Sequence, residues 1–117
     1  MLANILIALV AALHLGFMYL EMIAWDRPLG RKVFRTSPEF SAASKALAAN
    51  QGLYNGFLAA GLIWGLWLGD EGFAVKAFFL VCVMVAGLFG AATVNPRIAY
   101  VQSMPAALAL IALRLGI

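Results

Sequence analysis

Charge is what this sequence has least of. Lys and Arg number 8 and Asp and Glu 5 among 117 residues, so charged residues make up 11% against 65% hydrophobic. A soluble domain is roughly 45–50% apolar and about 25% charged, and the shortfall excludes a chain whose main solvent is water. Cysteine is nearly absent as well. The lone Cys82 has no partner for an internal disulfide and no CxxC neighbour for a zinc or thioredoxin-type site. His14 is the sole histidine, which excludes a bis-histidine haem within one chain, and Met18 on the adjacent turn is badly placed to sit across the same iron. No metal site and no cofactor is expected. The net charge is +3, but the basic residues cluster in one loop, a mark of membrane topology, so nucleic acid is not an expected partner.

What is abundant is long apolar sequence. A helix crossing the hydrocarbon core needs about 20 mostly apolar residues, because each adds about 1.5 Å to a path of about 30 Å. Charge-free runs cover 1–20, 46–69 and 77–96. A fourth, 98–113, is shorter, but Arg114 can snorkel to the interface and extend it. The expected architecture is all-α: a four-transmembrane-helix bundle with antiparallel neighbours and a long basic first loop. It forms one integral membrane domain over 1–117, with helices near 2–25, 45–69, 74–94 and 97–115. The first run has no basic segment ahead of it and carries His14 and Glu21, so it reads as a retained helix and not as a cleaved signal peptide.

The connections set the orientation. Arg27, Arg31, Lys32, Arg35 and Lys45 lie between the first two helices and Arg97 between the last two, whereas Lys76 and Arg114 fall on the other side. The positive-inside bias then puts the first loop in the cytoplasm and both termini outside it. Within that loop, Pro28 and Gly30 end the first helix. Ser37-Pro38-Glu39 reads as an N-cap, a first-turn proline and an acid against the helix dipole, so the second helix can begin near Pro38, ahead of the membrane. Val33 and Phe34 between Lys32 and Arg35 suit either an interfacial anchor or an ordinary solvated loop.

Polar residues inside the spans are few and grouped. His14, Met18, Glu21 and Trp25 recur at helical spacing and share one stripe. On the second helix Asn50, Gln51, Tyr54 and Asn55 occupy a sector of about 140°, at about 100° per residue. Counted from the expected helix ends, Glu21 and Gln51 lie at one level, with His14 and Asn55 deeper and level with each other. Thr93, Asn95 and Gln102 add to the same half, and Pro105 frees the Val101 carbonyl as an acceptor. The amides read first as interhelical glue. His14 with Glu21 is sharper, because a histidine and an acid on one stripe can share a proton. They stand about 10.5 Å apart along the helix, so a water, an amide or a substrate has to bridge them. Gly52/Gly56 and Gly61/Gly65/Gly69 repeat every four residues on two faces, which predicts close packing of the second helix on two neighbours.

The runs His14-Leu-Gly-Phe-Met-Tyr-Leu-Glu21-Met-Ile-Ala-Trp25, Asn50-Gln-Gly-Leu-Tyr-Asn-Gly-Phe57 and Gln102-Ser-Met-Pro105 resemble a family of small bacterial four-helix membrane proteins known only as a domain of unknown function. The resemblance covers nearly the whole chain. It implies four helices and the bacterial cytoplasmic (inner) membrane, and it implies no activity.

Three functions compete on the residues alone. The first is a polar intramembrane pocket on the cytoplasmic side that binds or acts on a small amphipathic or lipid-like molecule. There His14 and Glu21 would exchange protons as the catalytic pair, Asn50, Gln51, Asn55 and Gln102 would orient the ligand, and Trp25 and Tyr54 would line the wall. The second is proton-coupled transport, since four short helices and one membrane acid are similar to the small multidrug exporters; Glu21 near a helix end rather than at mid-membrane departs from that pattern. The third is an accessory subunit docking on a membrane complex, or a homo-oligomer, through an apolar outer face. Membrane lipid is a partner in all three.

Overall fold

The computed structural model describes residues 1–117 as five α-helices without a strand. They are α1 (Leu2–Met22), α2 (Pro28–Phe34), α3 (Pro38–Trp67), α4 (Phe73–Thr93) and α5 (Met104–Leu115), with a 3-10 turn over Gly69–Gly72 and a π-helical turn over Ala99–Ser103. Two helices are long and apolar enough to cross a membrane: Leu2–Met22, with mean hydropathy 2.0, and Gly69–Thr93, with 2.3. The expectation of four such spans is met in part only. Although α3 has 30 residues, Glu39, Lys45 and the three carboxamides at 50, 51 and 55 dilute its apolar content. Ala99–Leu115 is apolar but shorter.

The chain forms two compact units, Met1–Ala12 with Leu58–Ile117, and Leu13–Phe57. The core of the first unit is Ile7, Val10 and Ala11 from α1, Leu62 from α3, Leu80 and Val83 from α4, and Ala106 and Ala109 from α5. Small residues let these helices approach closely. At Gly61 a Cβ would lie 2.3 Å from the Phe79 ring, and at Gly65 one would lie 2.7 Å from Lys76 Cγ. The second face of the glycine repeat is therefore the seat of α4. The π-helical turn widens the chain just ahead of Pro105, whose ring nitrogen cannot donate to a helical carbonyl. The Met104 N–H bonds the Ala99 carbonyl, and Ser103 Oγ donates to the Met84 carbonyl at 2.9 Å.

The second unit holds the second half of α1, all of α2 and the first two-thirds of α3. Here α1 stops at Met22, not at residue 25 as expected. Pro28 pushes its predecessor out of the helical region, and Arg27 is extended at φ −127°, ψ 164°. The Ala24 N–H turns back to the Tyr19 carbonyl at 3.1 Å. Gly30 permits the tight turn, for a Cβ there would fall 2.0 Å from the Ala24 carbonyl oxygen. Instead of a loop, 28–34 is a short helix closed by Arg35 in the left-handed region at φ 56°. Then α3 begins at Pro38, where Ser37 Oγ accepts the Phe40 N–H at 3.1 Å and Glu39 faces the positive helix end. The N-cap reading of Ser37-Pro38-Glu39 is what the chain adopts, seven residues ahead of 45.

Candidate functional site

The second unit packs the end of α1 against the middle of α3 in opposite directions. Gly52 and Gly56 make the approach possible. A Cβ on Gly52 would meet Met22 Cγ at 2.6 Å and the Met18 carbonyl oxygen at 3.1 Å, and one on Gly56 would meet Met18 Sδ at 2.7 Å. Met18, one member of the polar stripe, thus serves as the packing residue. The same register brings the acid of α1 to an amide of α3: Asn55 Nδ2 donates to Glu21 Oε1 at 2.5 Å.

This register differs by about one turn from the levels expected, in which Asn55 accompanied His14 and Gln51 accompanied Glu21. Counting from the helix ends does not give this register: with α1 stopping at Met22 and α3 starting at Pro38, it would set Glu21 beside the first turn of α3, whereas the contact of Gly52 and Gly56 with Met18 and Met22 fixes it at Asn55. His14 lies about two turns earlier on α1, fully buried at 0% exposure, with its ring edge-to-face on Phe17 at 5.3 Å. Glu21 is half-buried. Asn50, Gln51 and Tyr54 are exposed, and Tyr54 leans toward Phe57 with ring centroids 6.3 Å apart. Gln102 is half-buried on the π-helical turn, within the first unit.

Trp25 is not on the α1 stripe, because the helix has ended; it sits in the turn that follows. There its indole Nε1 donates to Ser44 Oγ at 3.1 Å, Ser44 Oγ in turn donates to the Phe40 carbonyl at 2.7 Å, and the ring packs on Phe34 at 4.9 Å. Beside it, Thr36 Oγ1 and Ser41 Oγ share a hydrogen bond of 2.6 Å, with Ser41 fully buried. These hydroxyls were not singled out from the sequence. The available signal was the indole itself, since a tryptophan near a helix end needs an acceptor for its N–H.

Chemically, the arrangement offers one carboxyl group held from one side. A carboxylate has about four lone-pair positions, and the Asn55 amide takes one of them. The group retains capacity for an amine, hydroxyl or water of a bound molecule. The carboxamides of Asn50 and Gln51, five and four residues before Asn55, and the hydroxyl of the neighbouring Tyr54 supply further donors and acceptors on α3, beside the exposed apolar side chains of Leu47, Leu53 and Phe57. No group of His, Cys, Asp and Glu is arranged to hold a metal ion.

Comparison with known proteins places the chain among relatives. Residues 8–114 match the family described as "Protein of unknown function (DUF1304)". The chain is 32% identical over 111 residues to the uncharacterized protein YpaA of Lactococcus lactis subsp. lactis (strain IL1403), an alignment covering 92% of this chain and 93% of that protein. No solved structure matches it.

Proposed function

This chain belongs to the DUF1304 family, and we propose that it is an integral membrane protein binding a small amphipathic or lipid-like molecule through a polar site centred on Glu21 and Asn55. The observation that carries the reading is the hydrogen bond between these two residues of α1 and α3. A carboxyl group in an apolar helix costs several kcal/mol unless it is paired or neutralised; one amide donor satisfies it only in part. The exposed Asn50, Gln51 and Tyr54 give a ligand's polar end a path of partners toward the acid, and Leu47, Leu53 and Phe57 give its apolar end a surface. Buried His14 is the second proton-handling group of the site, and at about 10.5 Å along the helix from Glu21 it acts through a bound molecule. Trp25 completes the set of pocket residues that this unit supplies.

The membrane arrangement is part of the same proposal. The chain is one domain crossing the bacterial inner membrane four times, through α1, the C-terminal two-thirds of α3, α4, and the π-helical turn with α5. The length of α3, about 45 Å at 1.5 Å per residue, and the large apolar side chains exposed along every long helix support it. The Arg27 to Lys45 segment then faces the cytoplasm and both termini the opposite side.

The test is mass analysis of amphiphiles retained by the detergent-purified protein, comparing wild type with Glu21→Gln and His14→Ala. Wild type retains a defined amphiphile, and Glu21→Gln retains about tenfold less, the equivalent of one lost charge-assisted hydrogen bond. Unchanged retention together with unchanged thermal stability in both variants ends the reading.

A further inference from the structure

Lys76 is a second polar centre, and it belongs to the first unit. It stands in the first turn of α4, where no acidic residue balances the positive helix end, and it is 4% exposed. Its Nζ donates to Asn4 Oδ1 and to the Gly69 carbonyl, each at 3.1 Å. An ammonium has three N–H donors, so two neutral acceptors leave one N–H and the whole charge uncompensated. Lys76 and these two partners line a cavity of about 240 Å³, together with Asp70, Phe73 and Leu113. One water takes up about 30 Å³ of liquid, so the space exceeds what a single water completing the lysine would need. Asp70 lines the same cavity but forms no ion pair with Lys76, the one ion pair of the structure being Arg31 with Asp26. Lys76 and Asp70, opposite in charge, thus border one cavity without pairing with each other, while the Met1 ammonium that also lines it donates to the Ile117 carbonyl.

We infer that this cavity binds a small zwitterion, with its phosphate or carboxylate on Lys76 and its ammonium on Asp70. Phosphoethanolamine has this chemistry, either as a free molecule or as a lipid headgroup. Phe73 and Leu113 would contact the carbon chain between the two charges. The glycine at 65 belongs to the site, because a Cβ there would occupy the place of the lysine stem. The inference does not depend on the reading of Glu21, which lies in the other unit.

The experiment measures melting temperature of the detergent-purified full chain with phosphoethanolamine, inorganic phosphate or ethanolamine. In parallel, native mass spectrometry measures retention of phosphatidylethanolamine against phosphatidylcholine. The free zwitterion raises the melting temperature more than either half does; if only phosphatidylethanolamine is held preferentially, the headgroup is the source. Lys76→Met weakens the binding by about tenfold or more, as expected for one charge-assisted hydrogen bond. It should fold, since an apolar side chain of similar length replaces a buried charge. The exposed Asp70→Asn keeps the fold independently and removes the preference for the zwitterion over phosphate. A wild type that responds to no probe, free or as lipid, overturns the inference, as does binding that survives both substitutions.

Discussion

The Asn55 side-chain amide donates to the Glu21 carboxylate across two antiparallel helices at 2.5 Å. The bond ties the acid of α1 to α3 one turn from Gly52, where a Cβ would meet both Glu21 Cβ and the Met18 carbonyl, so acid, amide and glycine act as one packing unit. A polar contact between membrane helices averages about 0.6 kcal/mol, because the separated helices also find partners. Its specificity comes from the cost of breaking one side only.

That asymmetry is measurable by a double-mutant cycle. Asn55→Leu leaves the half-buried carboxyl without its donor and should cost about 1–3 kcal/mol. Glu21→Leu leaves the amide unpaired and should cost less, since a neutral group is cheaper to strand than an acid. The double variant should recover part of the sum, giving a coupling of at least about 0.5 kcal/mol. Thermal unfolding in one detergent reads all four proteins. Strict additivity would mean the two side chains are independent in solution.

The glycines give a graded series. Gly52→Ala pushes a methyl group against Met22 Cγ and also against the Met18 carbonyl and Glu21 Cβ at 3.1 Å, atoms that cannot swing aside, so about 1–3 kcal/mol of destabilisation is expected. Gly56→Ala meets only the Met18 side chain, a flexible thioether that can re-pack, and should cost less than about 1 kcal/mol. Gly16→Ala meets nothing within 4 Å and should stabilise α1 by about 0.5–1 kcal/mol, the helical cost of glycine. Melting temperatures should fall in the order Gly16→Ala, Gly56→Ala, Gly52→Ala. Any other order would contradict the helix contact described.

How far the sequence reaches is clearest at these same residues. Helical spacing identifies the His14, Met18 and Glu21 face and the amide-bearing sector of α3, because both follow from a period of 3.6 residues. The all-α fold follows from the apolar runs in the same way. Which amide meets the acid is a matter of register between helices, and here the contact of Gly52 and Gly56 with Met18 and Met22 sets it, not the place where either helix ends. Pro28 marks a boundary without saying that the chain already turns at Ile23, and so Trp25 leaves the stripe for Ser44. The contact of Lys76 with Asn4 joins positions 72 apart; no periodicity within one helix carries that information. Sequence shows only its precondition, a lysine in the first turn of an apolar helix that has no acid in that turn.

The number of membrane crossings can be decided by labelling single cysteines from each side of the membrane, in a Cys82→Ala background that removes the one native thiol. Arg35→Cys, Asp70→Cys and Asn95→Cys sample the connections after α1, after α3 and after α4, and all three positions are exposed. If only Leu2–Met22 and Gly69–Thr93 cross, α3 returns on the side it left, so positions 35 and 70 react from one side and 95 from the other. If α3 crosses as well, 35 and 95 share a side and 70 is opposite. The four-crossing arrangement predicts the second pattern, with 35 and 95 protected from an impermeant maleimide added outside cells and 70 labelled. The amides of α3 make this the decisive helix. By composition they hold its hydropathy down, but by geometry Asn55 is already spent on Glu21 and does not meet lipid alone. A helix that pairs one of its amides internally can enter a bilayer at a lower cost than its sequence average suggests, and labelling at Asp70→Cys measures whether α3 does.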